Sequence, residues 1–203
     1  MLAMLQAIST TPATPLVRVS WNQPGEIMRA LDAGAYGVIC PMINDAAECA
    51  AFVQACRYPP HGFRSSGPTR AIVYGGPDYH EKANGEMLAI AMIETAQGLA
   101  NVEAIVATPG LDGVYIGPSD LSLSMGGPPG QDSDAPSLMA AFDRILAACK
   151  AAGVRIGVHT NSMAYSQKML ERGFDLVTVG SDTRYMGAGR REASEMRAWL
   201  ESR

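Results

Sequence analysis

Long apolar runs are missing from this chain. No window approaches 18 continuous apolar residues, so no membrane-spanning helix is expected. Positive charge is scarce as well: 16 Lys and Arg stand against 20 Asp and Glu, a net charge of −4. That balance argues against nucleic acid or an acidic membrane surface as the main partner. The four cysteines, Cys40, Cys49, Cys56 and Cys149, form no C-x-x-C pair and fall within apolar patterns. They are expected to be reduced core residues, and a cytoplasmic location follows from that expectation. No G-x-G-x-x-G follows the first strand candidate, which weakens a dinucleotide-binding reading. The opening MLAMLQAISTT has neither a basic region nor a small-residue cleavage site, so a signal peptide is not expected. Its Leu2, Leu5 and Ile8 fall at helical spacing, and a start inside a helix implies sequence upstream.

What is present is a pattern. The chain has 203 residues, 47% apolar and 18% charged, enough for one globular α/β domain over residues 1–203. Six short runs read as strands: LVRVS (16–20), YGVICPMI (36–43), MLAIAMIE (87–94), GVYIG (113–117), VRIGVH (154–159) and DLVTVG (175–180). They are continuously apolar rather than alternating, as strands of a parallel sheet covered on both faces are. Helix candidates lie between them. QPGEIMRALDAG has Pro near its start, and DAAECAAFVQACR opens on Asp45 as an N-cap. APSLMAAFDRILAACKAAG and SMAYSQKMLERG stop at Gly, and a last helix is placed at about 187–202.

Such alternation predicts βαβ units. A doubly wound sheet and a TIM (β/α)8 barrel compete; the barrel is favoured, with about six of its eight strands. Residues 58–86 break the rhythm as a Gly/Pro-rich link carrying Arg64, Arg70, His61 and His80, and links of that length are often functional.

Two carboxylates stand out. Glu94 ends one strand, and Asp120 follows the next after Gly117-Pro118-Ser119. In a parallel sheet both ends lie on one face, with neighbouring strands about 4.8 Å apart. So placed, the pair can share one hard divalent cation, with water or substrate oxygens completing its shell. The backbone N–H groups of the GPSD turn can receive a carboxylate. Each acid read singly is also an ordinary helix-cap or first-turn residue.

In register, RYPPHGFRSSG, MIET, GVYIGPSDLS, PLVRVSWN, DAGAYGVICPMI and GFDLVTVGSD resemble the HpcH/HpaI aldolases, over almost the whole chain. The resemblance implies a pyruvate-binding barrel that cleaves 4-hydroxy-2-oxo acids to pyruvate and an aldehyde through a metal-stabilised enolate, as in aromatic compound catabolism. It implies a divalent cofactor (Mg2+, Mn2+ or Co2+) on Glu94 and Asp120. It also implies that Gly117, Pro118, Ser119 and Asp120 hold the pyruvate carboxylate, and that Arg64 is the catalytic arginine on the enolate oxygen. Family members are commonly homohexamers in which the last helix packs on a neighbouring subunit. The partners expected are therefore a 2-oxo acid and further copies of the chain, without nucleic acid or membrane.

Two departures accompany the resemblance. Met92 stands where the family often has glutamine. The family also takes an Asp and a His for proton transfer from a strand upstream of its VRV strand, whereas VRV begins here at Val17. The first two βα units have no counterpart, so strands three to eight are expected and activity could be impaired. His159 lies at a strand end on the expected face, either as a packed residue or as a substitute base. Ser181 and Asp182 read as caps of the last helix, and Trp21 and Asn22 as mouth or packing residues. The competing functions are a citrate lyase β-like enzyme acting on a coenzyme A thioester and a catalytically weak metal- and pyruvate-binding scaffold.

Overall fold

The computed structural model describes residues 1–203, the side chain of Ala188 apart. Six strands form: β1 (Leu16–Arg18), β2 (Gly37–Cys40), β3 (Leu88–Ile93), β4 (Gly113–Ile116), β5 (Arg155–Val158) and β6 (Leu176–Val177). They pair in parallel and in chain order, β1-β2-β3-β4-β5-β6. Right-handed crossovers that always advance in one direction put every connecting helix on the same side of the sheet. A doubly wound sheet would reverse its order at a switch point. The unbroken order therefore makes this a curled, open part of a barrel, with β1 and β6 each paired on one edge only.

The two faces of the strands confirm the curl. Val38, Ala91, Ile93, Ile116, Ile156 and Val158 point outward into one large core beneath the helices. Ile90, Met92 and Tyr115, with Leu16 and Ile39, form a separate interior cluster. Strand side chains alternate faces, so the interior row continues to Glu94 after Met92, to Gly117 after Tyr115 and to His159 after Gly157.

Eleven helices accompany the strands. α1 (Leu2–Ile8) precedes β1, and α2 (Pro24–Asp32) and α3 (Ala46–Cys56) follow β1 and β2. The Asp45 side chain accepts the Glu48 N–H and caps α3, a contact worth about 1 kcal/mol. The link over 58–86 is not structureless. It holds α4 (Thr69–Gly75) and α5 (Tyr79–Glu86), which bury only Ala71 and Tyr79 with Ala83, too few apolar positions to leave a periodic trace.

Beyond β3 come α6 (Ala96–Ala100) and α7 (Val102–Val106); α8 (Pro118–Ser124) leaves β4. α9 (Pro136–Ala152) and α10 (Met163–Arg172) end on left-handed Gly153 and Gly173. α11 (Asp182–Glu201) begins five residues before the expected 187, because Ser181 accepts the Arg184 N–H and Asp182 occupies the first turn. Among the described residues no helix is long and apolar enough to cross a membrane. All four cysteines are buried thiols.

Candidate active site

Glu94 leaves β3 directly before Thr95, whose side chain accepts the Gly98 N–H and caps α6. Held between a strand end and a cap, the residue is only 2% exposed. Oε1 accepts the Met42 N–H at 2.8 Å. Met42 reaches it from a left-handed backbone (φ 58°), a conformation costly for a residue with a Cβ. Asn44 donates to the Met42 carbonyl at 2.9 Å and steadies that turn.

Oε2 is buried and has no hydrogen-bond partner. Burial raises the carboxyl's pKa and the Asp120 charge raises it further, against the Met42 N–H and the charge of Arg18. An ionised group so placed calls for a positive partner.

Gly117 makes room for this carboxylate, since a Cβ there would sit 2.5 Å from Glu94 Oε2. Pro118 opens α8, and Asp120 lies in its first turn. The first-turn N–H groups of Ser119 and Asp120 have no acceptor inside the helix. All four residues of the turn line one cleft of about 220 Å³ with Arg18, Met92, Glu94, Tyr115, Gln131 and His159.

The structure thus brings together Glu94, Gly117, Pro118, Ser119 and Asp120, as expected. Two carboxylates, one with an orphan oxygen, are a donor set suited to a hard divalent ion that keeps waters or takes substrate oxygens. Among the described residues no cluster of three or more His, Cys, Asp or Glu with metal-binding geometry occurs, so the pair would leave much of such an ion's shell open.

Arg64 is not brought to this cleft. It follows α3, in a segment anchored at the strand starts: Arg57 donates to the Met87 carbonyl and pairs with Asp112, and the Arg64 N–H donates to the Arg57 carbonyl. Its guanidinium is fully buried against Asp32 at the end of α2 (2.7 Å), the Tyr79 hydroxyl (3.0 Å) and the Tyr58 ring (4.5 Å). This is the N-terminal end of the strands, opposite Glu94, so the arginine that the resemblance put on the enolate oxygen lies outside the cleft that holds Glu94 and Asp120.

Sequence reasoning passed over Arg18, the cationic residue that does line the cleft. The signal was available, because Leu16 and Arg18 alternate onto the interior face of β1 and Arg18 sits at its C-terminal end. His61 and His80 are exposed; His61 borders a different cleft, beside Arg57, and His80 meets Ser66. Trp21 is exposed and Asn22 donates to the Glu48 carbonyl; neither lines the cleft.

An open (β/α) barrel with paired carboxylates at the strand ends defines a class, the barrels whose chemistry sits at that face. Comparison narrows the class. The family model for HpcH/HpaI aldolase/citrate lyase matches residues 1–187. A hydroxypyruvate/pyruvate aldolase of Rhizorhabdus wittichii is 40% identical over 189 residues, covering 93% of this chain and 75% of that protein. A 4-hydroxy-2-oxo-heptane-1,7-dioate aldolase of Salmonella dublin is 39% identical, covering 93% and 72%. The crystal structure of an HpcH/HpaI aldolase/citrate lyase family protein from Burkholderia cenocepacia superposes with a TM-score of 0.86 at 35% identity, covering 97% of this chain and 79% of that one. This chain belongs to the HpcH/HpaI aldolase/citrate lyase family and is a carbon–carbon lyase. It spans about three-quarters of the length of these relatives.

Proposed function

We propose that the protein is a divalent-metal-dependent aldolase that cleaves 4-hydroxy-2-oxo acids to pyruvate and an aldehyde. The observation that carries this reading is the unpartnered Oε2 of buried Glu94, in one cleft with Asp120 and Arg18. Glu94 and Asp120 would hold the cation, which when bound polarises the 2-oxo group as a Lewis acid. The backbone of Gly117–Asp120 receives the substrate carboxylate, with Pro118 presetting the turn. Arg18 places a fixed positive charge where the enolate oxygen develops, a preorganised partner for the transition state.

The names of the two curated relatives support a 2-oxo acid substrate, since both are aldolases and one is named for pyruvate. The test is pyruvate release from a panel of 4-hydroxy-2-oxo acids, with Mg2+, Mn2+, Co2+ or chelator. Release that requires the metal is expected. Cleavage confined to coenzyme A thioesters would favour the citrate lyase-like alternative instead.

The same reading includes self-association. Every described side chain of α11 is exposed except the half-buried Gly187, and Tyr185, Met186, Met196, Trp199 and Leu200 among them are large and apolar. An amphipathic helix left so bare is a surface for a neighbouring copy. Light scattering of the chain should give a homo-oligomer, and a chain ending at Ser181 should give a smaller one.

A further inference from the structure

We propose that His159 is the acid–base catalytic residue of this cleft, an assignment that rests on the aldolase reading above. The interior row of β5 runs through Gly157 to His159, which places the imidazole in the cleft with Glu94, Asp120 and Arg18. Gly157 has no side chain where a Cβ would meet the Tyr115 ring at 2.9 Å, which leaves room for that ring beside β5, and the Tyr115 hydroxyl reaches the histidine. The Nδ1 atom of His159 is 3.2 Å from both Tyr115 Oη and Thr178 Oγ1.

The tautomer follows from the hydrogen bonds of Thr178. Its hydroxyl proton goes to the Thr160 carbonyl at 3.0 Å, and its oxygen accepts the Thr160 N–H at 2.8 Å. One lone pair is left, and Nδ1–H is its donor. Thr178 is itself fixed, because Thr160 and Ser166 both donate to its carbonyl. An Nδ1–H shared between the Thr178 and Tyr115 oxygens leaves the Nε2 lone pair bare; no protein partner of Nε2 occurs among the described hydrogen bonds.

The other groups lining the cleft do not fill this role. Glu94 and Asp120 are committed to the cation. A guanidinium stays charged, and Gln131 does not titrate. Burial pushes the Tyr115 phenol above its ordinary range. The charged and titratable groups around the imidazole are Tyr115 from β4, Asp132 from the loop before α9, and Arg18, Glu94 and Asp120 across the cleft. Burial holds the imidazole below its ordinary pKa and outweighs the pull of Asp132, which favours the neutral ring that can accept a proton.

The step balances without another reagent. Nε2 takes the proton of the C4 hydroxyl as the C3–C4 bond breaks. The bonding electron pair becomes the pyruvate enolate, and the aldehyde departs. The imidazolium then returns its proton to C3, which yields the methyl group of pyruvate and restores neutral His159.

The test compares wild type with His159→Gln and His159→Asn on three readouts: the pH profile of kcat, deuterium exchange into the pyruvate methyl group, and Mn2+ affinity by calorimetry. We expect kcat and exchange to fall by about 100-fold or more, the acidic limb of the wild-type profile to disappear, and the Mn2+ affinity to stay within about twofold. Variants that keep wild-type kcat and the acidic limb overturn the proposal but leave the aldolase reading standing. A wild-type protein that neither releases pyruvate nor exchanges its methyl protons overturns both. Should the variants not fold, the imidazole nitrogen spectrum of the wild type decides: Nδ1–H supports the assignment, and Nε2–H refutes it.

Discussion

Glu94 and Gly117 occupy adjoining strand ends so closely that a Cβ on residue 117 would lie 2.5 Å from Glu94 Oε2 and 3.1 Å from its Cβ. Absence of a side chain at 117 is thus a condition for the carboxylate's position. Gly117→Ala must push the acid off its contact with the Met42 N–H. Because the turn is also the proposed carboxylate receptor, the change is expected to cost about 10–100-fold in Mn2+ affinity, the range seen when a ligand's support is lost. Calorimetric titration of the folded variant measures this, and an unchanged affinity would show that the carboxylate does not need a glycine beside it.

The carboxylate pair makes a sharper demand. Glu94→Ala combined with Asp120→Ala should weaken Mn2+ binding by more than about 100-fold, beyond what outer-shell changes produce. It should also abolish metal-dependent pyruvate release. Glu94→Gln alone is informative in another way. It removes a buried charge whose pKa desolvation already raises, so the variant should melt no lower than wild type while losing the ion. Wild-type Mn2+ binding in the double variant would show that the two acids are not the metal ligands.

Two arginines separate by readout. Arg18→Ala should lower kcat/KM by about 10²–10³-fold, the usual effect of removing one donor to a developing oxyanion, with little change in melting temperature because the side chain is exposed. Asp32→Ala, by contrast, leaves the Arg64 guanidinium buried without its carboxylate. Breaking a buried pair in this way costs about 3–5 kcal/mol. The folded fraction should nonetheless keep its kcat/KM. A catalytic defect in folded Asp32→Ala would return Arg64 to the chemistry.

All six strands were legible as apolar runs, because a strand covered on both faces leaves no polar interruption. Glu94 and Asp120 were legible because a carboxylate at the end of such a run breaks its pattern. His159 was read at its strand end on the expected face, but Arg18 was passed over: it lies inside the run LVRVS rather than at its end, and β1 contributes just three residues. Arg64 misled for a complementary reason: an arginine in a Gly/Pro-rich link looks solvated or functional, and its burial between Tyr58, Tyr79 and Asp32 comes from elements far apart in the chain. α4 and α5 hid in the same link, being short and mostly exposed.

The thiols give a prediction in which the site plays no part. Burial pushes Cys49 to about 11, and Cys56 and Cys149 to about 12; Cys40 is raised further still, with burial again the leading cause. At pH 8 a thiol with a pKa of 11 is thiolate in about one part in a thousand, so disulfide reagents should act only as fast as the fold opens. Titration should find almost no reactive thiol in the native protein and four in guanidinium.

The linkage has a definite sign. Above pH 9 the unfolded chain releases its thiol protons while the folded chain keeps them, so the folded state binds more protons and stability falls as pH rises. The loss should begin near the ordinary thiol value of 9 and continue toward 11–12. A melting temperature that held constant from pH 8 to 10.5, or rose, would contradict the buried placement of these cysteines.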